Sequence, residues 1–515
     1  MGLKQWSYEQ MKEAFSSTLY LSLSFFISVL LLFKLIRRTK SKTKLNLPPS
    51  PPKLPIIGNL HQFGELPHRS LRDLSLKYGD MMMMQMGRQT PTLVVSSADV
   101  VREIMKTHDI AFSDRVHTTA AKLCLYDCTG IGFGLYDENW REKKKVCVQH
   151  FLSTKVVESF RLIRGEEVAE LVNKLREASS ADARSVNLRE LLLSTPMKIL
   201  YKCVFGRNYS EHNYNKVVDS IRKVLVHLVA FTVRDQFPLL GWIDVLTGKI
   251  REYKTTFEEL DAALDEAIAE QITAKTNSKE KDFVDILLQL QEDNTLNIEF
   301  TKNDIKGLIT DFFVGGTDSV ASAVEWVILE LVRNPMTMKK VQEEVRTVVG
   351  HNKSNVEEND VNQMHFLKCV VKETLRLHPP VPLLAPRGTR SSVKLNGYDI
   401  PAKTNVIINA WAIQRDPKIW KSPEEFMPER FEKSQVDFKG QESFQLIPFG
   451  FGRRGCPGMN FALAAAEYVL ASLLYWFDWT LPEDSNTLNI DMTEIFAFVV
   501  STKVPLHVKP KSFTF

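Results

Sequence analysis

Apolar positions along the chain fall into distinct regimes. From Thr18 to Ile36 they are nearly continuous, TLYLSLSFFISVLLLFKLI, with Lys34 the one charge near the end. At 1.5 Å per residue such a run is about long enough to span a bilayer. Arg37, Arg38, Lys40, Lys42 and Lys44 follow with no acid among them, which predicts a membrane anchor with everything after it on the cytosolic side. A cleaved signal needs a short apolar core and a small-residue cleavage site, and LIRRTKSK supplies none. Residues 1–45 therefore read as anchor and basic stop. Residues 46–60 read as a hinge, because prolines at 48, 49, 51, 52 and 55 favour stiff extended chain and exclude helix.

Residues 61–515 read as one domain, mainly α with a small β-sheet region. Leu66 to Tyr78 looks helical. Asp80 to Gly87 and Thr92 to Ser96 look like a hairpin around Arg88-Gln89-Thr90-Pro91. From about Asp99 to Leu377 helical periodicity dominates, and strands return near Val393 to Asn409 and near the C-terminus. This order predicts a sheet built from both ends of the domain. One helix stands out, capped by Thr301 with Asp304 completing a capping box, and running to Asn334 before Pro335. Its middle reads FFVGGTDSVAS. Gly315 and Gly316 each cost about 1 kcal/mol relative to alanine there. Either helices pack closely at that point, or something approaches the backbone beside Asp318 and Ser319.

Composition adds limits. The 515 residues are 44% hydrophobic and 25% charged, with a net charge of +4, an ordinary globular balance. No basic stripe interleaves with aromatics, so nucleic acid is not an expected partner. Six cysteines are scattered without a C-x-x-C pair, which fits free thiols in a reducing compartment.

Candidate chemistry concentrates in PFGFGRRGCPGMNFALAAAEY, Pro448 to Tyr468. Gly450, Gly452 and Gly455 match G-x-G-x-x-G, a dinucleotide fingerprint. That motif requires a preceding buried strand, and SFQLIP is a poor one. Its acid should end a second strand, yet Met459 to Phe477 reads as one helix. A second glycine cluster, GIGFG at Gly130 to Gly134, lacks the spacing. The alternative is a metal-bound thiolate. Glycines let the backbone approach a flat cofactor, and Pro457 suits a first helical turn. A cysteine at a helix N-terminus beside Arg453 and Arg454 is expected to have a depressed pKa. Zinc is disfavoured, because no second cysteine or histidine lies at ligand spacing. Elsewhere, KETLRLHPP places Glu373 and Arg376 three apart on one helix face, an ion-pair spacing, and PERF follows at Pro428 to Phe431.

Together these residues resemble a plant microsomal cytochrome P-450 of the A-type group, over essentially the full length. Phe449, Gly452, Arg454, Cys456 and Gly458 fit the haem loop F-x-x-G-x-R-x-C-x-G; Glu373 and Arg376 fit E-x-x-R, with Arg430 the third partner. The resemblance implies that fold, preceded by a single transmembrane helix, and a haem (heme b) cofactor with Cys456 as proximal iron ligand. Arg454, Trp140, Lys144 and Arg387 would hold the propionates. Glu373, Arg376 and Arg430 would be a structural ion network. Asp318 and Ser319 would manage protons for dioxygen. The chain departs from the family at Ser319, where threonine is usual, at Val320, where Ser or Thr is usual, at Lys144, where W-x-x-x-R has arginine, and at PRGT in place of Pro-Arg-Glu.

The implied activity is that of an endoplasmic-reticulum monooxygenase fed by NADPH through a separate reductase, acting on a lipophilic terpenoid, phenylpropanoid or similar metabolite. Dehydration or rearrangement without net monooxygenation, as of an aldoxime, is the alternative. Lys143 and Lys145 are expected on the reductase-facing side. Phe312, Phe313, Gly315, Val381, Leu384, Phe496 and Phe498 are expected to line the substrate pocket, with the segment after Ser113 and the region Leu228 to Phe237.

Overall fold

A computed structural model of the protein describes residues 45–514, apart from 89, 181–184, 275–281, 352, 354, 439–443 and 483–489, together with residues 24, 25, 27 and 28. Most of the expected anchor and its basic flank therefore lie outside the described residues. The chain divides into two compact units, residues 1–47 with 397–399, and residues 48–396 with 400–515. The second unit carries the candidate site.

The expected hairpin forms. Strands β1 (Met81–Met84) and β2 (Thr92–Val95) pair antiparallel, with Met81 opposite Val95. All eight residues are buried, so both strands can be apolar on both faces. Three short strands follow: β3 (Asp114–Arg115), β4 (Arg387–Gly388) and β5 (Asn405–Ile408). Strand β5 pairs parallel with β2, β4 pairs antiparallel with β5, and β3 closes a five-stranded sheet against β4. Early and late segments thus share one sheet, as the pattern predicts.

Much of the proline segment is bound into this unit. Met83 N donates to Pro49 O at 2.8 Å. Fully buried Asn59 donates from Nδ2 to the carbonyls of Pro51 and Pro52 and accepts from Gln85 N.

Six helices position the site: α1 (Glu138–Cys147), α2 (Leu188–Phe205), α3 (Lys302–Gly316), α4 (Asp318–Arg333), α5 (His365–Leu377) and α6 (Met459–Trp476). The capping box is present: Asp304 N donates to Thr301 Oγ1, and Thr301 N to Asp304 Oδ2. The long helix is not continuous, which corrects the reading of one unbroken element. It breaks at Thr317, whose φ and ψ are −107° and −71°. Thr317 Oγ1 donates to Phe313 O at 2.9 Å, a back-bond that bends helices, and two glycines precede it. Val314 belongs to a core cluster with Leu200, Phe205 and Leu308, and Val320 to another with Trp326, Leu331 and Leu470. The break lies where the two clusters meet.

Candidate active site

Cys456 stands just before α6, behind a loop closed by Cys456 N donating to Phe449 O at 2.8 Å. Gly450 and Gly452 have φ of +68° and +64°, a region strained for any side chain. At Gly452 a Cβ would also lie 2.5 Å from Asp109 Oδ1. Among the described residues no strand precedes this loop directly, so the dinucleotide reading lacks its context. Phe449 sets its ring edge-on to Phe438 at 5.2 Å. Of the six cysteines, five are buried and Cys456 is accessible.

The expected depression of the Cys456 thiol is not what the structure gives. Although Cys456 is open to the space in front of it, the protein packed around that space keeps it from bulk water and raises the thiol above its ordinary value; the Gly458 N–H and the Lys144 charge only partly oppose this. The reason is where the neighbouring arginines go. Arg453 bonds Asp109 Oδ2 at 2.7 Å and Tyr136 Oη at 2.9 Å. Arg454 turns away to carbonyls, donating to Ser113 O and Gly134 O, both at 2.5 Å, with its guanidinium 4.2 Å from the centre of the Trp140 ring.

Around Arg454 is a concentration of buried positive charge. Arg115 donates to Gly132 O at 3.0 Å and Ala385 O at 2.7 Å. Arg387 donates to Phe451 O at 2.7 Å, while its Nη1 is buried without a hydrogen-bond partner and 3.8 Å from Asp109 Oδ1. Burial lowers the pKa of Arg387 and of Arg454 to about 10, and lowers that of Arg115 with help from both neighbours. Lys144 donates to Arg453 O at 2.6 Å, and burial lowers its pKa too. Trp140 Nε1 donates to Ile131 O at 2.9 Å, so its one donor is engaged within the protein. Lys143 corrects the sequence reading. It is buried, bonds Asp304 Oδ1 at 2.5 Å and Thr129 O at 2.9 Å, and offers no charge to a partner; Lys145 is exposed.

On the distal helix the two glycines differ. A Cβ on Gly316 would touch Leu200 Cδ2 at 3.4 Å, whereas one on Gly315 would meet nothing within 4 Å. Gly316 is there for packing, and Gly315 opens onto space. Ser319 Oγ donates back to Gly315 O at 2.8 Å. Asp318 accepts from Thr317 Oγ1 at 3.3 Å, and burial raises its carboxyl above the ordinary range. Val320 is 3% exposed and faces the core, which explains an apolar residue at that position.

On α5, Glu373 and Arg376 are fully buried and doubly bonded, at 2.7 and 2.9 Å. Arg430 Nε and Met427 N both donate to Glu373 Oε1 at 2.9 Å.

The sequence model of the cytochrome P-450 family matches residues 48–509. The chain is a cytochrome P-450. A phenylacetaldehyde oxime monooxygenase of Prunus mume is 47% identical over 99% of this chain and 98% of its own length. A desmethylyatein synthase of Sinopodophyllum hexandrum is 47% identical over 93% of this chain and 96% of its own. A strychnine-11-hydroxylase of Strychnos nux-vomica is 43% identical over 96% and 97%. These relatives place it with the plant A-type enzymes. A zebra fish cytochrome P-450 solved with progesterone superposes with a TM-score of 0.73 at 23% identity, over 87% of this chain and 99% of that one, which shows the shared fold.

As a cytochrome P-450 it is a haem-thiolate monooxygenase that uses O₂ and receives electrons from NADPH through a separate reductase. Its residues fit that cofactor. Cys456 is accessible, Gly315 is open where a side chain would intrude, and Arg387 Nη1 is a buried donor lacking an acceptor. Arg115 belongs to the same cationic set and was missed in the sequence, where a lone arginine in SDRVH follows no motif spacing.

Several expected pocket residues pack against aromatic neighbours in this cytochrome P-450. Phe313 is fully buried beside Tyr201 and Phe205, and Phe312 stacks on Phe151 with centroids 4.8 Å apart. Phe313 has no exposed surface and is a core residue, whereas Phe312 keeps 7% exposure while packing on Phe151 and Phe283. Phe496 stacks on His68 instead. Val381, Leu384 and Phe498 remain as candidates. Leu384 lies near Gly450, and the 498–500 segment reaches the distal helix through Ser322 Oγ donating to Val500 O at 2.9 Å.

Proposed function

We propose that this cytochrome P-450 is held in the endoplasmic reticulum membrane by residues 18–36, faces the cytosol, and hydroxylates or otherwise oxidises a lipophilic specialised metabolite such as a terpenoid or phenylpropanoid. The observation that carries this reading is the open distal helix at Gly315, with Ser319 and Asp318 beside it. Bound haem supplies the activation of dioxygen. The chain's own part is to hold Cys456 in its loop, meet the propionates with Arg454, Arg387, Arg115 and Lys144, and govern protons distally. Ser319 Oγ can release Gly315 O and turn its hydrogen bond outward. The Asp318 carboxyl, raised by burial, keeps its proton to a higher pH than an exposed aspartate would. Apolar Val381, Leu384 and Phe498 suit a substrate with few charges.

Membrane seating has support beyond the anchor. Leu239, Trp242 and Leu246 are exposed apolar side chains, and so are Leu54 and Ile56. Backbone bonds from Gly87 N to Ile57 O and from Arg88 N to Gln236 O bring these segments to one edge.

A second reading is conversion of an aldoxime without net oxygen insertion. The oxime in the name of the Prunus mume relative, itself a monooxygenase, brings forward the substrate class, and Ser319 at the position where threonine is usual favours the altered outcome. Microsomes supplied with reductase, NADPH and labelled O₂ separate the two: label in the product supports monooxygenation, and unlabelled product supports the second reading.

A further inference from the structure

The glycine cluster that fails as a nucleotide motif has a different partner. Asp311 lies on α3, one turn before Gly315, and its carboxylate is wrapped by residues 130–134. Gly132 N donates to Asp311 Oδ2 at 2.8 Å, and Ile131 N donates as well. A Cβ on Gly130 would lie 2.1 Å from Asp311 Oδ2, and one on Gly132 would lie 2.9 Å from Oδ1. Neither glycine has a positive φ, so both are required for close approach to the carboxylate and not for a turn.

The other edge of the same loop faces the cationic set. Ile131 O accepts from Trp140 Nε1 at 2.9 Å and from Arg454 Nη1 at 3.4 Å. Gly132 O accepts from Arg115 Nε at 3.0 Å, and Gly134 O from Arg454 Nη2 at 2.5 Å. The N–H side of these peptides meets an acid and the C=O side meets two guanidinium groups. In the Ile131–Gly132 peptide unit the N–H of Gly132 meets Asp311 while the C=O of Ile131 meets Trp140 and Arg454, so that unit is polarised in the direction that strengthens both bonds.

We infer that Asp311 is a positioning residue, which through the loop of residues 130–134 sets the carbonyl row that aims Arg454 and Arg115 at the haem propionates. The inference rests on the assignment of those arginines to the haem. Burial holds Asp311 at about 6, with the loop amides, Lys143 and Arg115 pulling the other way.

The test uses the full chain, haem-loaded in detergent, with Asp311→Ala, Asp311→Asn and Gly130→Ala. Haem transfer to excess apomyoglobin and the ferric/ferrous potential are measured. Removing charge-assisted bonds should make Asp311→Ala lose haem roughly tenfold faster. Gly130→Ala should do the same, because its methyl group displaces the loop from the untouched acid. Asp311→Asn keeps one acceptor oxygen but loses the charge, so it should fall between the parent and Asp311→Ala. Arginines that drift from the propionates stabilise reduced haem less, so the potential should fall in the two alanine variants. Faster haem loss at an unchanged potential would mean a merely structural role and overturns the inference, as does parental behaviour in both. Should Asp311→Ala fail to fold, Gly130→Ala decides on the same two measurements. A parent without the thiolate band of the reduced carbonyl complex would instead refute the haem assignment itself.

Discussion

Arg376 grips Glu373 through two guanidinium nitrogens, Nε at 2.7 Å and Nη2 at 2.9 Å, and neither side chain reaches solvent. Its remaining nitrogen donates to the carbonyls of Gln414 and Pro423. Glu373→Ala leaves buried Arg376 and half-buried Arg430 without their shared acid. Breaking such a pair costs about 3–5 kcal/mol. Little or no haem-loaded protein should be recovered, as read by the carbonyl difference spectrum. A well-folded, inactive variant would point to catalysis.

Cys456→Ser should abolish the thiolate-type band of the reduced carbonyl complex, because serine is a harder and far less acidic ligand. An unchanged band would remove Cys456 as the ligand.

Ser319→Ala should leave NADPH consumption running while lowering product formed per NADPH and raising peroxide. Ser319→Thr should match or exceed the parent, since the added methyl restricts the hydroxyl's rotamers. Asp318→Asn should slow turnover. Full coupling in Ser319→Ala would remove the proton role and strengthen the aldoxime reading.

Glu494 gives a pH prediction. Burial alone would raise its carboxyl, but His68, at 3.1 Å, and Arg69 outweigh that and hold it at about 2. A folded pKa below the unfolded one adds stability at higher pH that is lost as pH falls from 4.5 towards 2. Urea midpoints should fall more steeply over that interval in the parent than in Glu494→Gln. Parallel curves would show that the His68–Glu494 tether does not set acid stability.

Deleting residues through Lys44 should release much of the protein from membranes with haem retained. Residual binding should fall further when Leu239, Trp242 and Leu246 are made polar. Asn208 heads a sequon and is exposed, so its freedom from glycan in plant cells would report a cytosolic domain; a glycan there would reverse the topology.

Local motifs made much of this site legible. The α5 ion pair and the capping box depend on residues close in sequence, and each forms as read. What the sequence hid depends on distant partners. Lys143 looks like a surface cation until Asp304 is found beside it. The GIGFG loop has no meaning without Asp311. The break at Thr317 leaves no trace in the apolar pattern, because helix continues on both sides. Phe312 and Phe313 sit on a helix buried on nearly every side, polar positions included, where periodicity cannot say which face meets a cavity.

The sheet carries a consequence for synthesis. Strand β2 emerges early from the ribosome, but its parallel neighbour β5 lies in the last quarter of the chain, and Cys456 comes later still. Until then a nascent chain shows the apolar edge Thr92–Val95 with no strand to cover it, a surface that invites pairing with another chain. Helical segments that need only near neighbours can form meanwhile, while the pocket waits for its final wall. A stalled or truncated transcript product therefore ends as a helical body with an open sheet, unable to hold cofactor and prone to association.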